Sequence, residues 1–241
     1  MRKCENIDLK SFIQDTLLEE MKRANNHCDY DNTKNNYHLL STKGKYLSNV
    51  FDFHMKLDKL IADLNKVEIF VRIPFQIHFA ETQINDIDYI NYHLEVFYHK
   101  ISTILDVMKL FINEVYMLGL SNKKCNWENL ITMENEINSN VMNVLELYYE
   151  SFKSMINLRH SNTHRSQNIN PESTEISALI LIQKIDPDNL LISPTMMKSQ
   201  IAKYRREKVK FINQAKDIAE KYVNAFMCGI SADIKEISDK K

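Results

Sequence analysis

YINYHLEVFYHKISTILDVMKLFINEVYML, residues 89–118, is the stretch whose reading decides the fold. Ile90, Leu94, Phe97, Ile101, Ile104, Leu105, Met108, Ile112, Val115 and Leu118 recur at intervals of three and four, the period of one helix face. Kept up over thirty residues, this stripe predicts about 45 Å of continuous helix, with Gly119 as its C-terminal stop. Past a polar loop around Asn122 to Asn126, the pattern resumes from Trp127 to Leu158 through Leu130, Ile137, Val141, Leu145, Tyr148, Phe152 and Ile156. Two long helices joined by so short a loop are expected to pack antiparallel.

Working outward, Ile7 to Ala24 and Tyr46 to Leu64 repeat the helical spacing, separated by an Asn- and Asp-rich loop whose side chains compete with helical hydrogen bonding. Val67 to Ala80 differs: Ile69, Val71, Ile73, Phe75, Ile77 and Phe79 alternate, and Pro74 interrupts any helix, so an extended segment across a helical core is expected. Pro171 opens a shorter helix from about Glu172 to Lys184. Ser193-Pro194 caps a last one running to about Met227, with Gly229 ending it. No fixed-period repeat and no Pro/Gly/Ser-rich linker divides the chain. The expected architecture is therefore one all-α domain, a helical bundle with residues 1–80 as an N-terminal helical extension and 81–241 as its core.

Composition narrows the function. Three glycines and four prolines in 241 residues supply neither hairpins nor glycine-lined phosphate loops. A formal charge of −1 provides no global field for nucleic acid, so any RNA contact must be local. Cys4, Cys28, Cys125 and Cys228 are widely spaced, without a C-x-x-C pair, and read as reduced packing residues of a cytoplasmic protein. No signal sequence and no membrane span is expected.

The segment that carries chemistry is Arg159-His160-Ser161-Asn162-Thr163-His164. In one unbroken helix positions 159 and 164 lie about 140° apart around the axis. Ser161, Asn162 and Thr163 are helix-weak and cap-prone, which predicts a helix ending near Arg159 and a new turn starting after Ser161 or Asn162. Such a kink would let both side chains address one phosphodiester: the guanidinium forks onto phosphate oxygens, free N–H groups favour the anion, and the imidazole moves protons near neutral pH. RNA already carries its nucleophile, the 2′-hydroxyl, so general-base catalysis by His164 with Arg159 stabilising charge needs no metal. His160 and His164 share the spacing of H-E-x-x-H zinc ligands, but Ser161 replaces the Glu, so neither metal nor cofactor is expected there. Arg72 and His78 also satisfy the Arg-to-His spacing, yet Ile73 follows the Arg and Pro74 interrupts the run, which makes that pair a decoy.

Arg159-His160-x-x-x-His164 resembles the R-x(4 to 6)-H motif of the HEPN superfamily, in which a polar residue follows the Arg. Tyr92-His-Leu-Glu and the run from Leu105 to Gly119 are similar to stretches of bacterial HEPN proteins, and the resemblance covers roughly Tyr89 to Met227. It implies a helical bundle that dimerises to bring two Arg/His motifs into one cleft. Many members are metal-independent endoribonucleases, some of them toxins held by an antitoxin or phage-defence effectors. On that analogy Arg159 binds phosphate and His164 transfers protons, with His160 and Asn162 in support. Arg165, Lys203, Arg205 and Arg206 are the candidate RNA contacts, the last three from the densest basic run, whose simpler reading is a solvated helix face. Members modified by a nucleotidyltransferase carry a Tyr two residues after the His; Ser166 stands there, so that control is not expected. A catalytically silent scaffold that binds a nucleotide or a protein is the alternative, and a plain helical interaction domain is a third.

Overall fold

The computed structural model describes residues 6–74, 84–165, 171–186 and 193–241, and side chains for all of these except 6–8, 160–165 and 171. They form seven α-helices: α1 (Asn6–Asn25), α2 (Thr42–Arg72), α3 (Asp86–Val115), α4 (Trp127–Thr132), α5 (Ser139–Arg165), α6 (Pro171–Ile185) and α7 (Pro194–Asp239). Among the described residues there is no strand, so the fold is all-α.

The stripe that predicted α3 is its buried face: Ile90, Leu94, Phe97, Ile101, Ile104, Met108, Phe111, Ile112 and Val115 are all withdrawn from solvent. At about 1.5–3 kcal/mol for each large apolar side chain buried, this face outweighs any local preference of the segment. A reciprocal capping box starts α3: Asn85 Oδ1 accepts from the N–H of Ile87 (2.9 Å) and Asp88 (3.0 Å), while Asp88 Oδ2 accepts from Asn85 N–H (3.2 Å). Its end comes earlier than Gly119. Met117 takes the left-handed conformation (φ 53°), its N–H donates to Glu114 O and the Leu118 N–H to Asn113 O, the paired bonds of a Schellman stop.

Three further expectations on helix boundaries are corrected. Val67–Arg72 belongs to α2: Val67, Glu68 and Val71 are buried while Ile69, Phe70 and Ile73 are exposed, so burial follows a helical period and the alternating apolar residues straddle two faces. Residues 75–80 of that expected segment lie outside the described residues. Trp127 to Leu158 is two helices, because α4 ends at Thr132 and a 3-10 turn, Glu134–Glu136, precedes α5. Finally, α7 runs on through Gly229 to Asp239. Gly229 is there for close packing: a Cβ on it would come within 3.2 Å of Val141 Cγ2 on α5.

The residues cluster into two compact units. One comprises residues 1–59, 104–151 and 220–241; the other comprises 60–103 and 152–219, so α2, α3, α5 and α7 each contribute to both. In the first unit Phe111 stacks with Phe53 (centroids 5.8 Å apart) and meets Phe226 (5.9 Å). Its polar knot is Asp233 on α7, which accepts from the Tyr116 hydroxyl and from Asn138 Nδ2 (3.2 Å), while the Asn138 N–H donates to Tyr116 Oη (3.3 Å). In the second, Phe211 packs edge-on against Phe97 and Tyr98, and buried Glu68 accepts from Lys216 Nζ (3.2 Å) and pairs with Arg72. Tyr116 at the end of α3 thus meets Asn138 ahead of α5, and Ser102 within α3 meets Arg159 near the end of α5.

Candidate functional site

Arg159 and His164 both lie in the last two turns of α5, which continues as helix to Arg165. The break expected at Ser161 to Thr163 is absent. Each of these residues costs at most about 0.7 kcal/mol relative to Ala inside a helix, too little to stop one already propagating from a packed segment. Positions 159 and 164 are therefore about 140° apart around a continuous axis, whereas 160 and 164, one helical step of four, share a face.

Arg159 is half-buried and its Nη1 donates to Ser102 Oγ at 2.6 Å. Ser102 is only 3% exposed and sits on the apolar face of α3 between Ile101 and Ile104. A buried hydroxyl needs a partner, and a charged donor makes this bond stronger than a neutral one. The guanidinium is thus tied to α3 at the level of the motif. Sequence reasoning missed Ser102; the signal available was a hydroxyl interrupting an otherwise apolar stripe.

The basic run of α7 divides. Lys203 and Arg206 are exposed, with Lys203 3.9 Å from Glu207. Arg205 instead turns inward to pair with Asp86 at the start of α3, and Lys208 reaches Glu172 (3.4 Å) and lies 4.5 Å from the Tyr204 ring centroid. Neither inward-turned side chain belongs to a simple solvated face. The Arg72 of the decoy pair is held by Glu68; His78 lies outside the described residues.

Tyr92 is 64% exposed, with Phe70 also exposed beside it and both rings packed on His93, so the aromatics of α3 are not all core. His54 is buried but its Nδ1 has no hydrogen-bond partner, and burial holds its pKa below the usual 6.5 against the weaker opposing pull of Asp58. Of the cysteines, Cys125 is a packing residue, its Sγ donating to Lys109 O (3.2 Å), but Cys28 is exposed.

The model of the Cthe2314-like HEPN family matches residues 48–226, well over half of the chain and including the whole Arg159–His164 segment. The chain belongs to the HEPN superfamily. The match begins inside α2, some forty residues before the stretch that carries the resemblance in the sequence. No curated protein and no solved structure matches the chain significantly. No helix among the described residues is long and apolar enough to cross a membrane.

Proposed function

We propose that this protein is a metal-independent endoribonuclease acting as a symmetric pair, with Arg159 and His164 as its essential residues. The observation that carries the reading is that the family match spans the Arg-x4-His motif at the end of a long packed helix. In the reaction, His164 takes the proton of the 2′-hydroxyl and the 2′-oxygen attacks phosphorus. The bond to the 5′-oxygen breaks, and that oxygen takes a proton from water or back from the imidazolium of His164, leaving a 2′,3′-cyclic phosphate and a 5′-hydroxyl while Arg159 stabilises the charge on the phosphoryl oxygens.

A continuous α5 makes convergence of the two residues within one chain hard to build, so the cleft of this proposal forms between two copies, the guanidinium from one and the imidazole from the other. The surface of α6, the next helix, supports such a pair. Ala178, Leu181, Ile182 and Ile185 follow the i, i+3, i+4, i+7 spacing and are exposed, Leu181 by 57% and Ile185 by 75%. His160 and Asn162 support the motif, and Arg165, Lys203, Arg205 and Arg206 are the RNA-contact candidates, with Arg205 first having to leave Asp86. A cytosolic ribonuclease needs restraint, and a toxin or defence role with a protein antitoxin belongs to the same reading.

The test is cleavage of RNA by the purified protein in the presence of a chelator. His164→Ala is expected to lose cleavage while its helical circular dichroism stays unchanged; cleavage at the wild-type rate would overturn the assignment. A second reading is favoured by the Arg159–Ser102 bond, which gives the guanidinium a structural task. A catalytically silent scaffold predicts no cleavage by the wild type and stabilisation by a nucleotide or protein ligand instead.

A further inference from the structure

Beyond the end of α1 the chain closes two tight turns, with the His27 N–H donating to Ala24 O (3.0 Å) and the Tyr30 N–H to His27 O (3.1 Å). This winding gathers three consecutive side chains that would fan apart on an extended backbone. His27 Nδ1 lies 3.9 Å from Cys28 Sγ and 3.6 Å from an Asp29 carboxylate oxygen, and the three donor atoms all lie within 4.8 Å of one another. In tetrahedral zinc coordination, with bonds of about 2.0 Å to N and O and 2.3 Å to S, neighbouring ligand atoms sit roughly 3.3–3.8 Å apart. The His27–Asp29 spacing falls in that range and the His27–Cys28 spacing just above it, so small side-chain rotations bring the donors onto one ion.

We propose that His27, Cys28 and Asp29 form a divalent-metal site that takes a thiophilic ion of the zinc type. A mixed imidazole, thiolate and carboxylate set selects zinc over magnesium or calcium, which require oxygen ligands. The Asp29 N–H donates to His27 Nδ1 (3.2 Å), and the incoming ion replaces this backbone bond. All three residues are exposed, which provides an entry path and leaves the fourth position to water. Binding requires the thiolate, so the Cys28 proton passes to solvent and affinity rises with pH. The backbone bonds of His27 go to Ala24 and Tyr30, two wall residues of an open cavity of about 530 Å³ that also takes in Tyr37, Asn49 and Asp52. Metal occupancy therefore stiffens one edge of that cavity.

The experiment titrates chelator-treated, full-length protein with Co²⁺ and then Zn²⁺. One cobalt ion per chain is expected to bind, with the near-ultraviolet charge-transfer absorption of a cobalt–thiolate bond, which zinc then abolishes. Cys28→Ser is expected to remove that absorption and weaken zinc binding about tenfold or more, and His27→Ala to weaken it similarly. Cys4→Ser, Cys125→Ser and Cys228→Ser should keep both. Absence of the absorption in the wild type, its survival in Cys28→Ser, or zinc affinity unchanged in His27→Ala overturns the proposal. The site stands apart from the RNA-cleavage reading, because the chelator-treated protein is the one assayed for nuclease.

Discussion

Two joints on α4 and α5 behave in opposite ways. Residues 133–138 break what the apolar period presents as one helix, and residues 160–163 continue a helix that their composition invites to stop. Cap-prone residues occur at both. At the first joint they have partners fixed by other helices: Asn138 Oδ1 accepts the Asn140 N–H (3.0 Å) while its Nδ2 and backbone N–H are engaged by Asp233 and Tyr116. Asn126 caps the start of α4 by a local bond, accepting from Asn129 N–H at 2.9 Å. A capping side chain ends a helix when the fold gives the interrupted backbone somewhere to go; the propensity of Ser, Asn or Thr alone is a few tenths of a kcal/mol and does not.

This contrast can be broken by substitution. Asp233→Ala removes the acceptor shared by Tyr116 and Asn138, and chemical denaturation is expected to register a loss of about 2–3 kcal/mol. A loss below about 0.5 kcal/mol would mean that the break is set locally. Asn126→Ala deletes an observed cap and should cost about 1 kcal/mol in the same measurement. Asn162→Ala carries the sharpest sign. Within continuous helix it should stabilise the protein by about 0.5 kcal/mol, whereas a residue capping a new turn would make the same change destabilising by about 1 kcal/mol.

Much of the fold was legible because it rests on burial. The period of α3 names its own core face, and α1, α6 and the Ser193-Pro194 start of α7, where Ser193 Oγ accepts the Met196 N–H (3.2 Å), follow from spacing and capping alone. What failed depended on partners distant in sequence. Gly229 reads as a terminator until Val141 is placed against it, and at the end of α3 Met117 takes the first positive φ, two residues ahead of Gly119 (φ 70°). Val67 to Arg72 alternates in composition, yet the buried positions 67, 68 and 71 belong to a helix face. At the candidate site the motif itself was legible and its local geometry was not. No feature of residues 159–164 reports that Ser102, fifty-seven positions earlier, holds the guanidinium.

A cleft shared between copies can be tested by mixing two inactive variants. Arg159→Ala and His164→Ala, each expected to be inactive alone, are unfolded together and refolded as a mixture before RNA cleavage is measured. Half of randomly paired dimers are mixed and each rebuilds one of two clefts, so about a quarter of wild-type activity should return. A mixture as inactive as its components would contradict the shared cleft.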